Sequence, residues 1–183
     1  MIRSTIPRAL PLLALLIAVL VVVASHSAFA GDAPAAPSAQ STFDRLKALE
    51  GTWVGTAGFG EEKSPTTVTY KLTGAGSVVM ETLFGGTNEE MVTMYHVDRD
   101  RLMLTHYCAG QNQPRMRAIP TADPNTIRFV YLDATNLASA RDAHMHAAAI
   151  TFINTDHIQS AWTAYADGKP AHEARFDLTR SKH

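Results

Sequence analysis

Residues 90–116, EMVTMYHVDRDRLMLTHYCAGQNQPRM, decide how the rest of the chain is read. Two runs of apolar, aromatic and threonine side chains flank the polar turn Asp98-Arg99-Asp100, which is the form of an antiparallel hairpin. Side chains alternate along a strand. Val92, Met94 and His96 therefore share one face of the first run, and Leu102, Leu104, His106 and Cys108 share one face of the second. Both faces are expected to look inward, bringing two histidines and the only cysteine toward one interior. Tyr95 and Tyr107, in the opposite phase, are expected on the surface.

The same texture extends in both directions. Upstream, residues 52–58, 66–72 and 78–84 are strand-like runs, and Val68, Tyr70 and Leu72 alternate with Thr67, Thr69 and Lys71 in the second of them. Gly74-Ala75-Gly76-Ser77 and Gly85-Gly86-Thr87-Asn88 divide them. Downstream, Arg115 and Arg117 alternate with Met116 and Ala118. Strand-like runs follow at 126–132, 144–153, 158–165 and 171–179, with Asp167-Gly168 as a strong turn signal. Residues 133–143, DATNLASARDA, have the composition of a long polar loop. One short helix is expected before the first strand, capped by Ser41, with Phe43, Leu46 and Leu49 on one side and Gly51 as its stop. An antiparallel meander of about 8–10 short strands hides its edges most economically by closing into a barrel. The alternative is a two-sheet sandwich.

Ahead of this region, Arg3 and Arg8 precede an apolar run over residues 10–24, and Ala28-Phe29-Ala30 has the small-x-small pattern of a signal-peptidase site. This order predicts a secretory signal peptide over residues 1–30, and hence a periplasmic or secreted protein. The competing reading, a transmembrane anchor, needs about 20 apolar residues, more than the run supplies. No cysteine follows the site, so no lipid anchor is expected after cleavage. Loss of Arg3 and Arg8 leaves 153 residues with 14 basic and 17 acidic side chains, a net charge of −3. That balance draws the chain to neither nucleic acid nor anionic membrane. Residues 31–41, rich in Pro and Ala, are expected to form a flexible leader, and residues 42–181 one domain able to bury its own core. Cys108 has no second cysteine to pair with.

The helix leading into Leu49-Glu50-Gly51-Thr52-Trp53 resembles the Gly-x-Trp opening of lipocalins and the wider calycin group. The resemblance implies a closed barrel in which Trp53 plugs one end and an arginine near the end of the last strand packs over it. Arg180, in phase with Phe176 and Leu178, is the candidate, with Arg175 second. Over residues 42–180 the chain is similar to uncharacterised secreted bacterial proteins with lipocalin-like barrels. The function implied is non-catalytic binding of a small, mainly apolar ligand. The haem-binding nitrobindins, a neighbouring calycin family, also open with Gly-Thr-Trp. Their iron ligand is a C-terminal histidine, for which this chain offers only His172, in PAHEARF.

Four residues suggest a metal. His144-Met145-His146 places two imidazoles in phase with Ala148, Ile150 and Phe152, and His106-Tyr107-Cys108 places an imidazole and a thiol on one face. If His106, Cys108, His144 and His146 converge, zinc would accept the set, and copper would also tolerate Met94 or Met116 nearby. Hydrogen-bonded histidines and a small buried thiol are the plainer expectation, with no cofactor and with Zn, Cu or haem as alternatives. Asn112 and Arg115 follow the break after Cys108 and suit a carboxylate or carbonyl. With Met94 and His96 they complete the expected ligand-binding set. Glu81, in phase with Val79 and Leu83, is either inward or, more simply, a surface glutamate. The common hydrolase, nucleotide and zinc-protease signatures are missing, so no reaction is indicated. A different class of function, a structural or interaction module of the cell envelope, would use the turns at 74–76 and 85–86 and the loop at 133–143 as its contact surface.

Overall fold

The structure is a computed structural model that describes Met1 and residues 37–182. The rest of the expected signal peptide and residues 31–36 of the expected leader lie outside the described residues. Ten strands follow one another in sequence order: β1 (Gly51–Phe59), β2 (Glu62–Thr73), β3 (Val78–Leu83), β4 (Met91–Asp98), β5 (Arg101–Tyr107), β6 (Gln113–Ile119), β7 (Thr126–Thr135), β8 (His144–Asn154), β9 (His157–Ala166) and β10 (Lys169–Arg180). Each pairs antiparallel with the next, and β10 returns to β1, so the sheet is a closed all-β barrel rather than a sandwich. Trp53 lies opposite Val68 on one side and Arg180 on the other, which sets the register of the closing seam.

Period-2 alternation fills the interior. Val68 and Tyr70, Val79 and Leu83, Leu102 and Leu104, Ile127 and Phe129, Ala148 and Ile150, and Phe176 and Leu178 are all buried, and Met103 on the other face of β5 is buried as well. β4 departs from the expected phase. Thr93 and Tyr95 are the buried residues, and Tyr95 pairs across from inward Leu104, so Val92, Met94 and His96 take the outer face. The cause is the hairpin. Asp98 pairs with Arg101, leaving only Arg99 and Asp100 as the loop, with Arg99 at φ 58°. A two-residue loop puts Leu104 opposite Tyr95 rather than in phase with Met94.

One end of the barrel is stoppered. Helix α1 (Ala39–Lys47) is capped by Ser38, not Ser41: the Ser38 hydroxyl accepts the Ser41 N–H at 3.1 Å. Ala39, Gln40 and Ser41 therefore belong to the helix and not to a flexible leader. Phe43, Leu46 and Leu49 are buried against the barrel end, and the Trp53 indole donates to the Leu49 carbonyl at 2.8 Å. Arg180 lies over the Trp53 ring at 4.5 Å and donates to the carbonyls of Ala48 and Glu50, while its Nε reaches Asp156 at 3.1 Å. Arg45 ties the helix to the far wall through the Pro124 carbonyl and the Phe152 ring. The opposite end, where β1 turns into β2 and β3 into β4, is the mouth. The turn at 74–76 lies at the stoppered end, whereas residues 85–86 and the loop after β7 lie at the mouth. The three segments therefore do not form one contact surface.

Candidate functional site

A row of polar side chains crosses four neighbouring strands inside the barrel. Tyr70 on β2 is paired with Glu81 on β3, Glu81 with Thr93 on β4, and Thr93 with His106 on β5. Residues paired across an antiparallel ladder share a face, so the register alone puts the four side chains side by side. Tyr70 donates to one Glu81 oxygen at 2.7 Å and Tyr95 to the other at 2.8 Å. Thr93 Oγ1 also lies 2.9 Å from His106 Nδ1. Glu81 and His106 are each 1% exposed.

Burial dominates the protonation of the row. It pushes the Glu81 carboxyl up, against the opposing pull of the Tyr70, Tyr95 and Thr93 hydroxyls. It also lowers His106 to about 4, which leaves the imidazole neutral across the physiological range. Tyr70 and Tyr95 are raised well above the ordinary phenol value, first by burial and then by the carboxylate beside them.

Above this row a cavity of about 350 Å³ opens at the mouth. Its walls are largely apolar, with Ala57, Leu83, Met91, Met145, Trp162 and Phe176 among them, and Phe59, Glu62 and Glu89 form the lip. His106 lines it too, its ring 4.6 Å from that of Trp162. His106 Nε2 and Trp162 Nε1 are both buried and have no hydrogen-bond partner among the described residues. Buried polar atoms are normally paired, so two unpaired ones on neighbouring rings that line one cavity need a reason. A smaller concavity of about 260 Å³ lies across β1, β8, β9 and β10, beside Lys63, Arg175 and Asp177.

The expected convergence of His106, Cys108, His144 and His146 does not occur. A β-bulge between Met145 and Ala147 shifts the start of β8, so that Met145 pairs with inward Ala164 while His144 pairs with Tyr165 on the other face. Met145 lines the cavity; Cys108, His144 and His146 do not. Among the described residues no three His, Cys, Asp or Glu side chains stand close enough to hold a metal ion. His144 and His146 instead form a rim cluster with two tyrosines. His144 Nδ1 donates to the Asp142 carbonyl at 2.7 Å, so its Nε2 accepts from His146 Nδ1 at 2.9 Å. The His146 ring stacks between Tyr131 and Tyr165 at 4.7 and 3.8 Å. Burial and the neighbouring His144 hold His146 below its ordinary value.

The other expected site residues are scattered. Met94 and His96 are on the outer face of β4, and Cys108 follows β5 half-buried in the β5–β6 turn, where its sulfur accepts the Gly110 N–H. Asn112 is buried but spends its amide on the Ala143 carbonyl, fastening two mouth loops together. Arg115 is exposed and pairs with Asp133 at 2.6 Å. His172 is exposed at the lip, edge-on to Phe59, and is not part of the cavity wall, so it is not placed to ligate a haem there. Tyr95 is not on the surface but at the centre of the polar row. Sequence reading missed Thr93 and Trp162, and named Tyr70 only as a packing residue. The signal for the row was a glutamate in phase with Val79 and Leu83.

Comparison with known proteins adds fold likeness only. No protein-family model matches the chain, and no curated protein is similar to it. Among solved structures it is similar to Rv2717c from M. tuberculosis, at 14% identity and a TM-score of 0.53, over 76% of this chain and 97% of that one. It is also similar to a protein of unknown function from the DUF3598 family of Nostoc punctiforme, again at 14% identity and a TM-score of 0.53, over 74% of this chain. The chain spans about half the length of the latter, 48%.

Proposed function

We propose that this protein is a non-catalytic barrel that binds one small, mainly apolar molecule in the cavity at its mouth. The observation that carries the reading is the pairing of an apolar cavity of about 350 Å³ with two unpaired buried polar atoms, on His106 and Trp162. Apolar walls supply affinity, and a few fixed polar groups supply orientation. That is the usual division of labour in a ligand pocket, and this volume falls at the small end of the usual ~300–1,000 Å³. The N-terminal pattern of Arg3, Arg8, the apolar run and Ala28-Phe29-Ala30 supports a periplasmic or secreted site of action. Fractionation of the native host tests that location, with the mature N-terminus at Gly31 as the expected result.

Native mass spectrometry of protein purified from its own host tests the binding. A copurifying small molecule is expected, and Ala174→Phe, which fills the cavity from its wall, should eliminate it while the barrel stays folded. Parent protein that carries nothing and shows no thermal shift with any apolar probe would disprove the reading.

A further inference from the structure

The lip of the cavity narrows the class of molecule it takes, given that it is a binding site. Glu62 and Glu89 line it, and no lysine or arginine does. Among the described residues no ion pair includes either carboxylate. Glu90, next in the chain, is spent on its own loop, where its carboxylate accepts the Gly86 N–H at 2.7 Å. Glu89 gives that loop its backbone N–H, donated to the Thr87 hydroxyl at 3.1 Å, and keeps its side chain for the lip. Lys63 follows Glu62 in the chain but, one residue out of phase, lines the other concavity with Asp177. Aromatic rings stand with the carboxylates. Phe59 pairs with Glu62 across the β1–β2 turn, so the two side chains share a face, and Phe59 is 56% exposed. Phe84 opens the loop that carries Glu89 and lines the cavity against Phe176, with ring centroids 5.9 Å apart. It does so at φ 54°, in the left-handed region, where a bulky side chain is a costly outlier.

We propose that the cavity takes an apolar cation: a protonated amine whose hydrocarbon part fills the cavity while its ammonium group stays at the lip with Glu62, Glu89 and the Phe59 and Phe84 rings. A charge held at the lip keeps part of its hydration, so it avoids the cost of burying an ion in the interior. Walls of low dielectric behind the two carboxylates concentrate their field on the entrance. A neutral head group gains nothing from that field, and an anionic one is repelled by it. Phenyl faces add their own attraction for a cation. A cavity of ~150 Å³ holds one benzene ring, so about 350 Å³ has room for two fused rings.

Three compounds that share one ring system and differ in charge test this by calorimetric titration: 2-(aminomethyl)naphthalene, 2-naphthalenemethanol and 2-naphthoic acid. At neutral pH and low salt the amine should bind at least roughly fivefold tighter than the alcohol, and the acid weakest of the three. Salt should close the gap between amine and alcohol in the parent protein, because the lip charges are exposed. The double variant Glu62→Gln, Glu89→Gln changes two exposed side chains and should bring the amine down to the alcohol's affinity. A double variant that keeps the parent's preference would take these carboxylates out of the site. Equal affinity for all three compounds, or tightest binding of the acid, would sink the preference for a cation and leave the binding barrel standing. No binding by any of them would remove both.

Discussion

At Glu81 a carboxyl lies inside a barrel with hydroxyls, not a cation, as its partners. Its pKa is raised in the folded chain, so it stabilises the fold below the unfolded carboxyl value of about 4.3, and that contribution is lost as pH rises through the raised native value. His106 has the opposite sign. Its native value of about 4 is below the ordinary 6.5, so its contribution is complete above 6.5 and is lost as pH falls toward 4. The two slopes oppose each other from about 4.5 upward, over the part of the His106 range that the raised Glu81 value covers. We expect Glu81→Gln to steepen the rise of stability with pH in that window, and His106→Leu to flatten or reverse it, as read from urea midpoints. Parallel profiles in parent and both variants would show that neither group titrates as described. Tyr95→Phe leaves one carboxyl oxygen short of a donor and should cost about 1–3 kcal/mol at neutral pH.

Among the elements, the hairpin β4–β5 and the bulge in β8 explain what was legible and what was not. Strand order and the helix face Phe43, Leu46 and Leu49 follow from period-2 and helical patterns that allow one reading, whereas those patterns suit a barrel and a sandwich alike and the Gly-Thr-Trp opening is what favours closure. β4 is apolar in both phases, Met91, Thr93, Tyr95 and Val97 against Val92, Met94 and His96, so periodicity cannot choose between them. The loop length does choose. Reading Asp98 as a paired residue rather than as part of the turn would have placed Tyr95 opposite Leu104, and the polar row with it. The shift at His146 is different in kind. A bulge adds one residue without a fixed composition, so His144-Met145-His146 shows nothing in sequence to say that the methionine points inward.

The glycines of β1 make a testable case at the same scale. A Cβ added at Gly55 would come within 1.9 Å of the Asp177 carbonyl oxygen, a backbone atom of the neighbouring strand. Gly55→Ala must therefore push β1 away from β10, and a loss of more than about 2 kcal/mol is expected, whereas Thr56→Ala beside it should cost little. Equal urea midpoints for the two variants would show that the seam is looser than its register implies.

For the molecule as a whole, stability and function divide between the two ends. Arg180 joins the last strand to the helix end, to the Trp53 ring and to the β8–β9 turn. Lysine cannot reproduce that planar fork. Arg180→Lys should lower stability by about 2 kcal/mol in chemical denaturation while leaving any copurifying ligand at the far end in place. Closing the sheet requires residues 53 and 180 to meet, a pairing across almost the whole domain. Refolding, followed by Trp fluorescence, should therefore fall in the ms–s range of non-local β topologies rather than the μs range of helical ones.

A barrel stoppered by α1, Trp53 and Arg180 has, among the described residues, one doorway at its mouth. Whatever enters between the lip residues Phe59 and Glu89 must leave by the same passage, and a newcomer cannot push the occupant out from behind. Exchange of one guest for another is then sequential, with departure first. In a displacement experiment the release rate should be the same at every concentration of the competing compound.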